Sequence, residues 1–457
     1  MKKNLLLSFC SLLLASAFLL SGAEKISAQE PDSKKVSAET KKHREQTISI
    51  LREMKGVLKK HYYDANYRGI NLEERFAAAE ARIKTLEYNW QMYRVLVQVL
   101  MDFNDSHTVF HLPPRSDYFD YGFSMQMFGT DCFITAVKKD SDAEKQGLKV
   151  GDQLLNIGKF KPTREDLWKI VYVLYRLDPK ETVDLTIAKL DGSQQKITVK
   201  AKTMTQKEKR EELRKRKTKE KFEPFKCQEI NAATIACKLT TFMVGKEEID
   251  KMMKRVGNHS KMILDLRGNG GGLVDTEVYL LGYFFDRDVK VADLITREKT
   301  ETRFARSRGD RAYKGDLVVL TDSRSASASE MTARVLQLEK RAKIVGDVSM
   351  GAVVTSYTVP LFGSYSALSD GVITSVSMGV TIADVKMKDG SRLENIGVVP
   401  DYPVIPTGEA LSKKMDAVLA YAASLLGAEL SPEKAGEFYF ITSREIDEDL
   451  SAEEGDK

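Results

Sequence analysis

Two short apolar runs, residues 262–266 and 317–320, each break off into a stretch of very small residues and are followed by a helix-like segment. The first enters Arg267-Gly268-Asn269-Gly270-Gly271-Gly272 before a helical pattern at 276–285. The second enters Asp322-Ser323-Arg324-Ser325-Ala326-Ser327-Ala328-Ser329-Glu330 before another at 331–339. A short apolar run bounded by turn residues reads as a buried strand, and strands alternating with helices need crossover connections that make the sheet mainly parallel. Strands at 235–239 and 343–345 and a helix at 247–256 extend the alternation, so residues 225–406 are expected to form an α/β core.

Both turns offer chemistry. A serine between a strand and a helix start lies beside backbone N–H groups that have no partner within the helix and sit at the positive end of its dipole, which suits an oxyanion. The plain alternative is a helix cap, since Ser before Glu is a common helix beginning. The glycines at 270–272 have a plain alternative too, close packing of a helix on its strand.

The rest of the chain sets the context. Residues 1–23 have a basic start, an apolar run and Ser21-Gly22-Ala23, the pattern of a secretory signal, with Ala28 as a second cleavage candidate. The protein is therefore expected to be exported, to a periplasmic or extracellular location. Cys10 lies inside the apolar run after Phe9 and is a poor lipid-attachment site, and no later segment is apolar for long enough to span a bilayer, so no integral membrane anchor is expected. Loss of Lys2 and Lys3 with the leader lowers the net charge from +5 to +3, a balance that selects no partner class. Cys132, Cys227 and Cys237 remain. The last two flank a turn at Asn231 and either pair or stay as buried thiols. No Cys/His spacing resembles a zinc site, and neither a metal nor a cofactor is expected.

Residues 29–45 are polar and read as a loose leader. Helices are expected from residue 48 to about 62, from a capping box at Asn71 and Glu74 to residue 86, and from 89 to 103. This N-terminal helical region, 29–117, ends in Asn104-Asp105-Ser106-His107-Thr108. Residues 118–203 turn to short strands at 121–128, 132–137, 153–157, 182–188 and 196–200, with a helix at 165–177. Residues 204–224 form a linker whose run 207–221 mixes charges of both signs, which describes a solvated helix or linker and not a nucleic-acid surface. A C-terminal helical segment at 407–442, with its helix at 410–426, and an acidic tail at 443–457 close the chain.

Within 118–203, the pattern Tyr121-Gly122-Phe123-Ser124, Ser141-Asp142-Ala143 and Gly147-Leu148-Lys149-Val150-Gly151-Asp152 resembles a PDZ domain. The resemblance implies that the loop Tyr121, Gly122, Phe123, Ser124 receives a peptide's C-terminal carboxylate and that the peptide adds a strand to the sheet edge. Four segments in order, 104–108, 268–272, 322–330 and Glu394-Asn395-Ile396-Gly397-Val398-Val399-Pro400-Asp401, resemble the serine peptidase family that includes the C-terminal processing proteases and the core of the tricorn protease. That resemblance implies a ClpP/crotonase-like core and makes Ser327 the nucleophile, with Ser325 and Ser329 as turn and cap residues. The processing proteases place a lysine base in a turn that here reads Ser349-Met350-Gly351-Ala352, and alanine accepts no proton. The tricorn-like branch uses a serine-histidine pair and a glutamate, which Ser106, His107 and Glu394 match.

An imidazole near neutrality takes the serine's proton and a carboxylate stabilises the imidazolium. Ala328 and either Gly270 or Gly271 are the expected oxyanion donors, and Arg267 is expected to be structural. His43, His61, His111 and His259 lack such company. The expected function is an exported serine endopeptidase acting on polypeptides through an acyl-enzyme, with the PDZ-like domain docking substrate or gating the site. The missing lysine motivates an alternative, an inactive peptide-binding scaffold of the cell envelope; a third reading is an acyl hydrolase of non-peptide esters or amides.

Overall fold

The computed structural model describes residues 37–113, 115–219, 223–367 and 373–438; the expected leader at 1–23 and the acidic tail at 443–457 lie outside the described residues. The αβ core contains a six-stranded sheet in the order Tyr402–Pro403, Lys343–Gly346, Asp316–Thr321, Lys261–Asp265, Thr234–Leu239, Phe225–Asn231. Neighbours run parallel except for the last pair. Alternation sorts the side chains between two layers. Cys237, Leu239, Met262, Leu264 and Val319 meet the helices Lys246–Val256, Val274–Gly282 and Ala328–Leu338, while Ala236, Ile263, Val318 and Leu320 meet Ala417–Leu425. Burial on both faces is why these strands read as unbroken apolar runs. Because the strands are parallel, the segments after residues 265, 321 and 346 leave the same edge of the sheet, at its carboxyl ends, where open α/β sheets place their sites.

A second, antiparallel sheet joins Val289–Ile295, Thr300–Ala305, the long hairpin Val354–Ala367 and Ile373–Met387, and Phe110–His111. None of these strands is among those expected from the sequence, although Val376, Met378, Val380 and Ile382 alternate as a half-buried strand does. The same strand closes the core of the helical region: Leu51, Met54, Leu58, Leu96 and Phe103 pack with Val376, Met378 and Val380. The first helix is Ala38–His61, so it begins inside the stretch expected to be a loose leader. Ser37 caps it by accepting from the N–H of Thr40, and its polar first turns are the exposed part of an amphipathic helix. Asn71 accepts from the N–H of Glu74 at the start of Leu72–Ile83, as its position predicts.

The β-rich module is a five-stranded antiparallel sheet, Phe123–Phe128, Asp131–Val137, Gln153–Ile157, Thr182–Ala188 and Gln194–Lys200, in chain order. The helix expected at 165–177 is Leu167–Tyr172 followed by a π-helical turn, Val173–Leu177. The charged run forms the helix Gln206–Lys219. Cys227 and Cys237, register partners on adjacent strands, form a disulfide, and Cys132 is a buried thiol that burial pushes up to about 12.

Arg267 is structural: its guanidinium meets Asp265 at 2.7 Å and Asp416 at 2.8 Å, all three buried. Glu277, on Val274–Gly282, has no comparable partner. It is fully buried, neither carboxyl oxygen has a hydrogen-bond partner among the described residues, and burial pushes its pKa up to about 8 against the weaker pull of Arg303. A folded-state pKa above the unfolded one contributes stability that is complete below about 4.5 and lost as pH rises towards 8. Between pH 5 and pH 8 the protein is expected to lose on the order of 3 kcal/mol of unfolding free energy relative to Glu277→Gln, which cannot ionise. Denaturant titrations of both proteins at the two pH values measure the difference, and parallel pH dependences would contradict it.

Candidate active site

The three serines of the turn after Asp316–Thr321 have different surroundings. Ser325 is fully buried; its Oγ donates to the Leu266 carbonyl at 2.9 Å and accepts from the Asp322 N–H at 3.0 Å. Ser329, equally buried, donates to the Asn269 carbonyl at 2.8 Å. Ser327 is partly exposed, and its φ of 54° lies in the left-handed region that a β-carbon ordinarily avoids. Two hydroxyls hold the turn and the third faces outward.

The glycine turn after Lys261–Asp265 is pinned to the serine turn. Asp322 accepts from the Gly268 N–H at 2.9 Å, and the Ala326 N–H donates to the Asn269 carbonyl at 3.0 Å. Gly271 has φ 97°, and a β-carbon there would stand 2.8 Å from both the Ala326 carbonyl oxygen and the Ser327 β-carbon. Its own N–H donates to Asn269 Oδ1 at 2.9 Å. The N–H of Gly270 has no partner among the described residues, and that of Ala328, first in its helix, has no carbonyl four residues back. Gly271 therefore supplies close approach, and the two uncommitted donors are those of Gly270 and Ala328.

Histidine arrives from the helical region. After the helix Asn89–Met101, the buried Asp105 accepts from the N–H groups of His107 and Thr108, both at 3.0 Å, from the Thr381 hydroxyl at 2.6 Å and from the Tyr62 hydroxyl at 3.0 Å. This fixes Ser106-His107 as a turn on the hairpin strand. Ser106 Oγ lies 2.7 Å from His107 Nδ1 and 3.0 Å from Glu394 Oε2, while the Ser106 N–H reaches Glu394 Oε1 at 2.8 Å. A hydroxyl has one proton. Given to the carboxylate, it leaves Ser106 to accept from Nδ1–H, so the lone pair of the imidazole is on Nε2. Burial lowers the pKa of His107 against the opposing Asp105 charge, which keeps it neutral at pH 7; burial raises that of Glu394 against its hydrogen bonds from Ser106 and Val353.

One turn connects the two halves. The Val353 N–H donates to Glu394 Oε2 at 2.8 Å, and the preceding Ala352 N–H donates to Glu330 Oε2 at 2.9 Å, which also accepts from the Ser327 N–H at 3.0 Å. Ala352, where the resemblance anticipates a lysine, presents a buried methyl group. Asp105, Glu330 and Ser349 are participants that the motifs do not single out: Asp105 carries an Asx-turn signal, whereas Glu330 reads only as a helix start.

In the loop Tyr121–Ser124, where a peptide carboxylate is expected, all four residues are buried and the Gly122 N–H donates to Asp120 Oδ1 at 2.9 Å. The edge strand that begins there, Phe123–Phe128, is also engaged. Arg324 donates to the Met125 carbonyl at 2.7 Å, Ser323 to the Met127 carbonyl at 2.6 Å, and Gln126 to Asp322 at 2.8 Å. The serine turn thus occupies the edge a peptide would use. Large apolar side chains are exposed on the neighbouring loops: Met243 and Leu273 beside the glycine turn, Met350 and Ile396 on the turns that hold Ala352 and Glu394.

The two glycines should respond differently to a methyl group. Gly271→Ala is expected to lower the site's catalytic activity at least about 100-fold, the scale of loss that follows when a reacting group is misplaced by about 1 Å. Gly270→Ala, with nothing within 4 Å of the added carbon, should stay within about tenfold of the parent. Parallel kcat/KM measurements test this, and equal losses would contradict it.

The sequence profile of peptidase family S41 matches residues 235–404. Over 412 residues the chain is 26% identical to a probable CtpA-like serine protease of Staphylococcus haemolyticus, covering 88% of this chain and 75% of that one. Over 142 residues it is 32% identical to a carboxy-terminal-processing protease of Bartonella bacilliformis, which spans 31% of this chain and 30% of the relative. Mature CPAF complexed with lactacystin has a similar fold over 84% of this chain and 98% of its own, with a TM-score of 0.62 at 14% identity. The photosystem II D1 C-terminal processing protease matches over 85% and 99%, with a TM-score of 0.52 at 19% identity. The αβ core at 235–404 thus matches peptidase family S41, and over most of its length the chain is similar to serine proteases of the carboxy-terminal processing kind.

Proposed function

We propose that this peptidase cuts polypeptides internally through an acyl-enzyme, with Ser327 as nucleophile and His107 as its base. The observation that carries the reading is the hydrogen-bonded set His107, Ser106 and Glu394, joined through the Ala352–Val353 turn to the backbone of Ser327. His107 Nε2 takes the Ser327 hydroxyl proton as Oγ attacks the scissile carbonyl, and the imidazolium is stabilised through Ser106 by Glu394. The tetrahedral oxyanion is received by the N–H groups of Ala328 and Gly270, the two donors not committed elsewhere among the described residues. His107 then gives its proton to the departing amine, and water attacks the acyl-enzyme by the same route in reverse. A histidine supplied in this way would do the work of the lysine expected at position 352, and supports the tricorn-like reading of the site.

The exposed Met243, Leu273, Met350 and Ile396 suit peptide side chains better than a small polar ester. The β-rich module, with its carboxylate loop buried, acts in this reading as a support for the serine turn and not as a peptide dock. Export follows from the leader at 1–23; among the described residues no helix is long and apolar enough to cross a membrane.

A fluorophosphonate probe tests the assignment. Wild type is expected to be labelled at Ser327, Ser327→Ala to be unlabelled, and His107→Ala to react about 1,000-fold more slowly, the usual scale for loss of a general base. Absence of labelling in the wild type would favour the inactive scaffold instead.

A further inference from the structure

We propose that Glu330 is a positioning residue of this site: its buried carboxylate clamps the turn 349–352 to the backbone of Ser327 and so sets the nucleophile's distance from the His107 relay. The inference rests on the assignment of Ser327 and His107 made above.

Glu330 is fully buried and accepts four hydrogen bonds. Oε1 receives the Ser349 hydroxyl at 2.6 Å and the Gly351 N–H at 2.7 Å; Oε2 receives the Ala352 N–H at 2.9 Å and the Ser327 N–H at 3.0 Å. A helix cap accounts for one of these, the bond back to Ser327. The other three go to a segment 19 to 22 residues away in the chain. Capping also needs no burial, and burial is costly here: it pushes the carboxyl up to about 7 despite the four donors.

The turn that Glu330 grips is held equally firmly from the other side. Ser349 Oγ, having given its proton to Glu330, accepts from the Val398 N–H at 2.6 Å; the Asn395 N–H donates to the Gly351 carbonyl at 2.7 Å; and Val353 donates to Glu394. The residues that carry Glu394, and through it Ser106 and His107, are therefore registered on the same five residues as Ser327. If Glu330 releases that turn, the nucleophile and its base are free to shift relative to each other, and a shift of about 1 Å is enough to cost on the order of 100-fold in rate.

Glu330→Gln isolates this role, because it keeps the volume and fails at the hydrogen bonds. Each carboxylate oxygen faces two donors, so either orientation of the amide sets an NH2 group against two of them, at least one a backbone N–H that cannot turn away. Ser349→Ala is a milder release from the opposite side. The experiment measures the second-order rate of fluorophosphonate labelling at Ser327, and kcat and KM for a peptide, in wild type, each variant, and each variant combined with His107→Ala. Labelling and kcat are expected to fall about 100-fold in Glu330→Gln and about tenfold in Ser349→Ala, with KM within about twofold. In the His107→Ala background each effect should shrink to less than about threefold, because no base remains to be aligned; a double-mutant cycle detects that coupling. Wild-type labelling in Glu330→Gln, or a loss of equal size with and without His107, would overturn the role while leaving the peptidase assignment in place. If Glu330→Gln does not fold, Ser349→Ala carries the same cycle: coupling to His107 supports the role, and a loss independent of His107 overturns it. A wild type that is not labelled at all would overturn the peptidase assignment and this proposal with it.

Discussion

Ala352 and Val353 are neighbours in the chain, and their N–H groups go to two different buried carboxylates, Glu330 and Glu394. The arrangement of the site depends on that pair of bonds. Peptide geometry fixes the spacing of consecutive N–H groups, so the two glutamates are held at a distance that side-chain rotamers alone could not specify. One glutamate belongs to the helix that begins at the serine turn, the other to the loop that holds Ser106 and His107. In a water-poor interior each bond is stronger and each unmade bond more costly, so the turn has few alternatives to the position it occupies. An alanine at 352 is compatible with this role, because only its backbone is used.

Buried carboxylates oppose folding unless their oxygens are satisfied, and the chain handles its own in three ways. Asp265 and Asp416 share Arg267 beneath the glycine turn, and the guanidinium with Lys238 holds Asp265 low against the opposing effect of burial. Glu330 and Glu394 are surrounded by N–H and hydroxyl donors and no cation, which leaves them raised and able to anchor backbone. Glu277 has neither among the described residues, and burial pushes it up to about 8. Only the middle arrangement puts peptide groups in register, and it is the one found on both sides of the proposed nucleophile and base. Precision at the site is thus obtained at some expense of stability, as is common where backbone strain such as the left-handed Ser327 is also retained.

How much of this is legible depends on whether a feature is local in sequence. The parallel strands around 262–266 and 317–320 can be read because burial on both faces writes an unbroken apolar run, and the turns that follow them can be read because only small residues fit there. Ser106, His107, Ser327 and Glu394 are named by their motifs, and the first two and the last lie in one hydrogen-bonded chain. Glu330 is visible as a residue but not as a clamp, since three of its four partners lie about twenty positions downstream and two of those are backbone N–H groups that no side-chain pattern marks. The first helix begins earlier than expected because its opening turns are exposed and polar. The Tyr121–Ser124 loop shows the opposite limit of a local pattern. Its local pattern suits a carboxylate-binding turn, but nothing in that pattern reveals that Asp120 satisfies its N–H and that the serine turn covers its edge.

The parts surrounding the αβ core therefore act on the same few residues. The helical region contributes Asp105, which fixes Ser106-His107 on the hairpin with help from Tyr62 and Thr381. The β-rich module contributes the carbonyls of Met125 and Met127 and the amide of Gln126, which hold Arg324, Ser323 and Asp322 in the stretch leading to Ser327. The core alone carries the proposed nucleophile, its oxyanion donors and Glu394, but the proposed base is 220 residues upstream, on a segment that has its own apolar core in common with the hairpin strand. A base so placed is in position only when the helical region is packed on that strand, and it is in register only when the turn at 351–353 holds both glutamates. Where a lysine at 352 would bring base and nucleophile together within one domain, the alanine here makes their meeting a property of the whole assembled chain.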